Sequence, residues 1–386
     1  MRIARRMSEI EPFHVMELMA KAKALEAQGR DIVHMEVGEP DFPTPQPVID
    51  AAQRFIAGGQ VHYTHALGLP QLREAIARFY QDRYRVSVPP ERIIVTAGAS
   101  GALLLALGIL IDRDDEVLLA DPGYPCNRHF VRALEGHAIP LPVDAVTAYQ
   151  PTAEQVAEHW SPRTRALLVA TPANPTGTLI DLPRLAALRE VVDKHGGSLL
   201  VDEIYHGLTY GFDAGTALTL GDDVFVINSF SKYFGMTGWR LGWLVAPPGY
   251  VRDIEKLAQN LFISPSAPAQ FAALAAFEPV TIEILESRRG EFRRRRDTLL
   301  PGLRSLGFEI PTEPQGAFYV YADSSRLAVD SFALAEQLIG EAGVAATPGL
   351  DFGRFGPERH MRFAYTVASE RIEEGLRRME RFFHTR

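Results

Sequence analysis

Apolar runs alternate with amphipathic stretches through the middle of the chain. Short, mostly apolar runs bounded by glycine, proline or polar residues are typical of buried strands. They occupy 92–96, 116–120, 165–170, 198–205, 224–227 and 241–246. Stretches with helical spacing of apolar positions lie between them, at 102–110 and 182–195. Because strands that alternate with helices form parallel sheets covered on both faces, the pattern predicts an α/β fold with a mostly parallel sheet.

The pattern changes towards both ends of the chain. Helical spacing covers 3–28 before Gly29, and a short strand is predicted over 31–37. Other predicted helices lie at 48–55, 70–80, 250–261, 268–276 and 282–303. Beyond these, short strands and helices follow at 308–310, 317–321, 332–339, 344–347, 360–365 and 370–383. We expect a large domain over 46–280 and a smaller domain that combines 1–45 with 281–386.

Composition and charge narrow the possible partners and location. A net charge of −8 gives no general attraction to nucleic acid or to an anionic membrane. The longest apolar stretch, 102–111, is about half of the ~20 residues that a membrane span needs. The basic segment 1–7 is not followed by the apolar region of a secretory signal. With Cys126 as the single cysteine, no intrachain disulfide is possible, which fits the cytoplasm.

One lysine stands between two apolar runs, in Ser229-Phe230-Ser231-Lys232, with Gly238-Trp239-Arg240-Leu241-Gly242 just after it. A lysine that loses solvation there has a lowered pKa, and its free amine can attack a carbonyl to form a Schiff base. A surface lysine whose ammonium group reaches solvent is the alternative, and this stretch by itself favours neither.

Other chemistry-bearing residues follow the predicted strands. Gly98, Ala99 and Ser100 open the helix after the first strand, where free N–H groups and small side chains suit an anion. Asn174 lies between prolines in a turn that fixes its amide. Asp202 ends a buried strand and needs a cation nearby. No acidic or histidine cluster accompanies it, so no metal site is expected.

The lysine segment resembles the cofactor-lysine signature of the class I/II aminotransferases, which are fold-type I enzymes that use pyridoxal 5'-phosphate, and the likeness extends over nearly the whole chain. The resemblance implies a mostly parallel seven-stranded sheet between helices plus a smaller α+β domain, with the cofactor held as an aldimine on Lys232. The residues implied for the cofactor phosphate are Gly98, Ala99, Ser100, Ser229, Ser231 and Arg240.

The resemblance also assigns the cofactor ring and the substrate. Asp202 keeps the pyridine nitrogen protonated, Asn174 and Tyr205 donate to the phenolic oxygen, and Tyr124 stacks on the ring. Tyr63 reaches the phosphate of the neighbouring subunit, which implies a homodimer. Substrate binding is implied for the backbone of Gly38, for Asn174, and for Arg362, which would hold the α-carboxylate through a bidentate pair.

The implied reaction is ping-pong transfer of an amino group from an α-amino acid to a 2-oxo acid. A lyase or decarboxylase on the same site, and a regulatory protein on the same fold, are the alternatives. Phe13, His14, Tyr124 and Asn127 are candidates for the substrate pocket, and no second arginine or lysine is assigned to a side-chain carboxylate. Other polar residues are expected to be structural: Cys126 as a filler, Glu203 and His206 as solvent-facing or locally satisfied groups, and 293–296 as a solvated helix face.

Overall fold

The computed structural model describes residues 3–212 and 214–384. Residues 1, 2, 385 and 386, which the predicted small domain includes, lie outside the described residues. The helices are α1 (His14–Glu26), α2 (Gln46–Ala57), α3 (Pro70–Tyr84), α4 (Gly98–Leu110), α5 (Pro125–Ala133), α6 (Ala153–His159), α7 (Leu182–Lys194), α8 (Val251–Leu261), α9 (Ala267–Leu274), α10 (Pro279–Ser305), α11 (Ser331–Gln337) and α12 (Ser369–His384).

The strands fall into three sheets. They are β1 (Val33–His34), β2 (Ile93–Thr96), β3 (Glu116–Asp121), β4 (His137–Pro142), β5 (Thr164–Ala170), β6 (Ser198–Asp202), β7 (Phe225–Ser229), β8 (Gly242–Val245), β9 (Tyr319–Asp323), β10 (Val344–Ala345), β11 (Thr347–Pro348) and β12 (His360–Ala364).

The central sheet has seven strands in the order β2-β8-β7-β6-β5-β3-β4. All pairings are parallel except those of β8, which runs antiparallel to both of its neighbours. The mostly parallel seven-stranded sheet is therefore confirmed. Alternate residues of each strand enter different cores: Leu167 and Val201 lie in one cluster, while Leu168 and Leu200 lie in the other. This alternation places packed helices against both faces of the sheet.

The carboxyl ends of β5, β6 and β7 meet at one edge of this sheet. Ala170 is paired with Asp202, and Asp202 with Ile227, two residues before Ser229. The turns that carry Asn174, Tyr205 and Lys232 therefore begin side by side. Open α/β sheets bind their ligands at this edge.

Two small sheets involve the other part of the chain. β11, β12 and β9 form an antiparallel sheet, and β1 pairs in parallel with β10. α10 and α12 pack against each other, and α12 also contacts β1 and β10. The residues before 45 are thus tied to those after 300 by backbone hydrogen bonds, such as Val33 N–H to Gly343 O at 2.8 Å.

Several predicted elements differ from the structure. The single helix expected over 3–28 is instead a 3-10 turn at Arg5–Glu9 followed by α1, since Pro12 cannot continue a helix. The Asp351 carboxylate accepts hydrogen bonds from the N–H groups of His14 and Val15, which fixes the start of α1. The strand predicted over 31–37 shrinks to two residues, and 308–310 forms only an isolated bridge to Asp323.

Three elements were not predicted, namely α5, β4 and α6. β4 is an edge strand in which only Leu141 is buried, and it has prolines at 140 and 142, so its sequence lacks the apolar run of a buried strand. α6 is short, and its clearest signal is the Thr152–Gln155 capping box.

The arginine run of α10 is only partly solvated, which corrects the expectation for 293–296. Arg295 is 3% exposed, and its guanidinium donates to both carboxylate oxygens of Asp41, at 2.8 and 3.2 Å. It also donates to the carbonyl oxygen of Thr366 at 3.0 Å. This arginine therefore joins α10 to two distant segments of the chain.

No helix within the described ranges is both long and apolar enough to cross a bilayer. The cytoplasmic location stays a prediction.

Candidate active site

A cavity of about 220 Å³ lies at the carboxyl edge of the central sheet, which we call the substrate cavity. It brings together most of the predicted site residues: Gly38, Ala99, Ser100, Tyr124, Asn174, Asp202, Tyr205, Ser231, Lys232, Arg240 and Arg362. Gly98 and Ser229 are not part of this lining, although Gly98 precedes Ala99 in the chain and the Ser229 hydroxyl is 3.0 Å from that of Ser231. Tyr63 does not line it, and is 81% exposed.

Lys232 lies in the turn between β7 and β8, and its Nζ points into the substrate cavity. The ammonium group donates to the carbonyl oxygen of Gly38 at 2.8 Å, beside the rings of Phe318 and Tyr205. Burial lowers its pKa to about 8; Glu39 opposes this shift, and Arg362 adds to it. The ammonium group is therefore held inside the cavity rather than at the protein surface. With a pKa of about 8, roughly a tenth of the amine is free at pH 7, far more than for an ordinary lysine.

Asp202 is the last residue of β6 and is 5% exposed. Its Oδ1 accepts a hydrogen bond from the N–H of Ile204 at 3.0 Å. Burial raises its pKa to about 7, while that hydrogen bond and Lys232 pull it back. A carboxyl group in this environment ionises fully only when a cation comes close to it.

Two tyrosines share a hydrogen bond on one wall of the cavity. Tyr205 and Tyr319 have their hydroxyl oxygens 2.9 Å apart, and burial raises the pKa of both, so both stay neutral phenols. Tyr319 also fixes Gly38, because a Cβ at position 38 would lie 1.8 Å from its hydroxyl oxygen. Tyr319 is not among the predicted site residues, since a tyrosine in a strand carries no turn or charge signal.

Arg362, on β12, is a buried guanidinium that lies between two aromatic rings. Its Cζ is 4.3 Å from the centroid of Tyr319 and 4.7 Å from that of Phe352. It donates to Asn174 Oδ1 at 2.9 Å and to the carbonyl oxygen of Glu36. Its Nε has no hydrogen-bond partner, and no carboxylate of 3–212 or 214–384 forms an ion pair with it. A buried guanidinium without a counter-ion favours the binding of a carboxylate from a ligand.

The end of the substrate cavity at the start of α4 is suited to an anion. α4 begins here, and Ala99, Ser100, Ser231 and Arg240 line this end. Ser229 Oγ donates to Ser231 Oγ at 3.0 Å, which orients the second hydroxyl. Free N–H groups at a helix start, hydroxyls and a guanidinium together form a phosphate-binding set.

Two glycines let these groups come together. Gly98 has φ +70°, and a Cβ there would lie 2.7 Å from Nη2 of Arg240. A Cβ at Gly242 would lie 2.8 Å from the backbone carbon of Gly98 and 2.9 Å from the nitrogen of Ala99. Any side chain at position 242 would therefore push the start of α4 away from β8.

The comparisons with known proteins agree with this geometry. Residues 30–379 match the family described as aminotransferase class I and II. The chain belongs to this family. It is 39% identical to a valine–pyruvate aminotransferase of Mycobacterium tuberculosis over 96% of each chain. It is 37% identical to a (5-formylfuran-3-yl)methyl phosphate transaminase of Methanocaldococcus jannaschii, over 99% of this chain and 100% of that one.

Solved structures show the same likeness. A crystal structure of an aminotransferase from Mycobacterium tuberculosis superposes with a TM-score of 0.97 at 38% identity, over 100% of both chains. The aspartate aminotransferase of Thermus thermophilus with maleate gives 0.93 at 36% identity, over 99% of this chain and 100% of that one. The family resemblance and the fold-type I architecture are confirmed.

The protein is a pyridoxal-phosphate-dependent aminotransferase that moves an amino group between amino acids and 2-oxo acids by a ping-pong mechanism. The named relatives are transaminases, which favours group transfer over the lyase and regulatory alternatives. The substrate cavity fits the cofactor on structural grounds: Asp202 is a buried carboxylate that lacks a strong cationic partner, and the α4 end offers the donor set for a phosphate. Within the described ranges, no group of side chains is arranged to hold a metal ion.

The residues predicted to line the substrate pocket do not all lie in the substrate cavity. Phe13 lines the substrate cavity with its ring centroid 6.3 Å from that of Tyr124. Asn127 lines an adjoining cavity, whereas His14 lies in neither and its Nδ1 is 3.1 Å from Glu17. Burial raises the pKa of the Cys126 thiol, consistent with a structural role.

Glu203 and His206 are buried rather than solvent-facing, and both ring nitrogens of His206 lack a hydrogen-bond partner, so the expectation holds only for the local satisfaction of Glu203. Glu203 is satisfied locally, because it accepts hydrogen bonds from the hydroxyl of Thr216 and from the N–H of Ala217. Burial raises the pKa of Glu203 to about 8, and lowers that of His206 to about 3. Both groups therefore favour their neutral forms behind the end of β6.

Proposed function

We propose that Lys232 is the residue that bonds to the cofactor and moves the substrate proton. Bound pyridoxal phosphate supplies an aldehyde that condenses with amines and a ring that accepts electrons. The Nζ of Lys232 has a pKa lowered to about 8, so the amine attacks a carbonyl and accepts a proton near neutral pH. In the cofactor-free protein, the carbonyl oxygen of Gly38, 2.8 Å away, orients this amine.

Five residues are proposed to control the ring and the substrate. Asp202 would ionise against the protonated pyridine nitrogen, whose positive charge compensates the cost of burying the carboxylate. Arg362 would take the substrate α-carboxylate through its unpartnered Nε and an Nη. Asn174 accepts from Arg362 through Oδ1, which leaves its Nδ2 to donate to the phenolic oxygen, together with Tyr205. Tyr124 would stack on the ring.

The phosphate is proposed to bind at the start of α4. Backbone N–H groups of Gly98, Ala99 and Ser100 supply roughly half a unit of positive charge. Arg240 and the hydroxyl of Ser231 supply the remaining donors. Gly98 and Ser229 do not line the cavity, so Gly98 contributes through its backbone N–H, and Ser229 through the hydrogen bond that orients Ser231.

We also propose a homodimer in which Tyr63 completes the site of the neighbouring subunit. Its 81% exposure fits a residue that serves another chain, and nearby Ile56 and Val61 are also exposed. Exposed apolar side chains in one segment are typical of a protein interface. Within each subunit, domains over 46–280 and over 1–45 with 281–386 are supported by the β1–β10 pairing.

The observation that carries the proposal is the position of Lys232 Nζ in the same cavity as Asp202 and Arg362. We expect purified protein with added cofactor to show a visible absorbance that borohydride abolishes. Mass spectrometry of the reduced protein should locate the adduct on Lys232. Transfer from an amino-acid panel to pyruvate or 2-oxoglutarate should give parallel initial-rate lines.

The matched variants are Lys232→Ala and Lys256→Ala, since Lys256 is a surface lysine paired with Asp253. Only the first should lose the absorbance and the transfer. An adduct at another lysine, or turnover by the Lys232→Ala protein, would refute the assignment.

A further inference from the structure

Tyr319 contacts three parts of the active site from one position in β9. The centroid of its ring lies 4.3 Å from Cζ of Arg362, and its hydroxyl oxygen lies 2.9 Å from that of Tyr205. The same hydroxyl closes the cavity wall at Gly38, where an added Cβ would lie 1.8 Å from it. Tyr319 is therefore placed between the proposed α-carboxylate site and a tyrosine that is proposed to hold the cofactor ring.

The two tyrosines are removed from solvent. Tyr205 is 4% exposed and Tyr319 is 2% exposed. Burial raises the pKa of each phenol, so neither hydroxyl ionises near neutral pH. Each hydroxyl therefore keeps one proton that it can donate and lone pairs that can accept.

These hydroxyls depend on each other. In the part of the chain that the structure describes, each has the other as its only hydrogen-bond partner, and either can be the donor. A buried hydroxyl that loses its only partner costs free energy, so the pair is kept in the folded protein. The direction of the shared hydrogen bond can still reverse when a ligand binds.

Ring contacts prevent the two side chains from moving apart. The ring of Tyr205 packs edge-on against that of Tyr319, with centroids 5.8 Å apart, and against that of Phe318, at 5.3 Å. The ring of Tyr319 in turn lies on the guanidinium of Arg362, which is itself held by Asn174. The Tyr319 hydroxyl therefore stays beside Tyr205.

Hydrogen-bond donors and acceptors then decide the direction of this bond in the loaded enzyme. A deprotonated phenolic oxygen only accepts, so Tyr205 must use its single proton on the cofactor. Tyr205 can then accept from Tyr319 but cannot donate to it. Hydrogen bonds that run in one direction polarise and strengthen one another in a buried site.

We propose that Tyr319 is a positioning residue that acts through Tyr205. Its hydroxyl donates to the Tyr205 hydroxyl, which directs the proton of Tyr205 to the phenolic oxygen of the cofactor and strengthens that hydrogen bond. The proposal rests on the proposed function, in which Tyr205 is one of the donors to this oxygen. The ring of Tyr319 thus serves the carboxylate site, and its hydroxyl serves the cofactor.

A pH titration of the visible absorbance of the loaded enzyme tests the proposal. Hydrogen bonds to the anionic phenolic oxygen lower the pKa of the bound cofactor, so the loss of one raises it. Tyr205→Phe should raise this pKa by about one unit or more. Tyr319→Phe keeps the ring beside Arg362 and should raise it by about 0.2–0.5 unit, because the hydrogen bond from Tyr205 is weakened but not removed.

The double variant shows whether Tyr319 acts through Tyr205. Tyr205→Phe combined with Tyr319→Phe should give the same pKa as Tyr205→Phe alone. Tyr210→Phe is the matched control. The Tyr210 hydroxyl is also buried and donates to the carbonyl oxygen of Ala317, two residues before Tyr319, but Tyr210 does not line the substrate cavity. Its loss should leave the pKa of the cofactor unchanged.

Thermal unfolding of the cofactor-free protein gives a readout that does not involve the cofactor. Each single variant leaves one buried hydroxyl without its partner, so the double variant should lose less stability than the sum of the two single losses. A loss equal to that sum would show that the two hydroxyls do not pair, and would overturn the inference.

The titration can also contradict the inference. An unchanged pKa in Tyr319→Phe beside a raised pKa in Tyr205→Phe overturns this inference alone. An equal rise in Tyr210→Phe, or a double variant with a higher pKa than Tyr205→Phe, does the same. If Tyr205→Phe itself leaves the pKa unchanged, the proposed role of Tyr205 fails, and this inference fails with it.

Discussion

Burial of Lys232 has a cost for folding that depends on pH. Its pKa is lowered from 10.5 to about 8, so the folded protein releases this proton more readily than the unfolded chain does. The penalty is fully present below pH 8, and disappears as the pH rises towards 10.5. The residue that makes the chemistry possible therefore destabilises the cofactor-free fold at neutral pH.

We expect Lys232→Met to stabilise the cofactor-free protein at pH 7 by on the order of 2 kcal/mol. Denaturant unfolding at pH 7 and pH 9.5 should show this gain shrinking at the higher pH. Lys256→Met, at an exposed pair, should show no such dependence. A gain that is equal at both pH values would mean that the amine is not desolvated.

Gly242 is a second residue whose role can be tested by mutation, because it lies in close contact with the backbone at the start of α4. A Cβ there would meet the backbone of Gly98 and Ala99 at 2.8 and 2.9 Å, so Gly242→Ala must shift the start of α4. We expect its Kd for pyridoxal phosphate to increase about tenfold or more, with a loss of stability of about 1–3 kcal/mol. Spectroscopic titration and thermal unfolding measure the two effects.

Gly238→Ala is the matched control, because no atom lies within 4 Å of its added Cβ. If Gly242→Ala bound the cofactor as tightly as Gly238→Ala, the close approach of β8 to α4 would have no part in phosphate binding.

Helix α10 makes a tertiary contact that its sequence pattern does not predict. Its arginine run has the sequence of a solvated face, and Arg294 has a side chain that is 69% exposed. Arg295 instead turns inward to Asp41 and Thr366. The sequence pattern does not distinguish the two neighbours, because the partners of Arg295 are 254 and 71 residues away.

We expect Arg295→Gln to lower the free energy of unfolding by about 2–4 kcal/mol, because it removes the charge-assisted hydrogen bonds of a buried guanidinium to Asp41 and to the carbonyl oxygen of Thr366. Arg294→Gln should change stability by less than about 0.5 kcal/mol. Urea unfolding monitored by circular dichroism compares the two. Equal effects would show that the Arg295–Asp41 pair contributes no more than a surface ion pair.

The whole molecule is proposed to be a dimer with shared sites, and this has a distinctive consequence. A site that takes Lys232 from one subunit and Tyr63 from the other can be rebuilt from two defective proteins. In a heterodimer of Lys232→Ala and Tyr63→Asp subunits, one site carries both defects and the other carries neither.

An equal mixture of these two proteins, allowed to exchange subunits, should recover roughly a quarter of wild-type activity, since half of the dimers are mixed and each has one intact site. A mixture of Lys232→Ala with Asp202→Ala should recover none, because both residues line the cavity of the same subunit. No recovery in the first mixture, once exchange is verified, would contradict a shared site.

The sequence by itself determined the central α/β sheet, the lysine turn and most of the side chains at the sheet edge. These features depend on residues close together in the chain: the spacing of apolar positions, turns marked by glycine and proline, and polar residues at the ends of strands. Tertiary structure alone decided that Tyr319 and Asn174 both contact Arg362, and that Arg295 is buried. Those contacts join segments tens to hundreds of residues apart, and no local pattern encodes which distant backbone a long side chain will meet when the core closes.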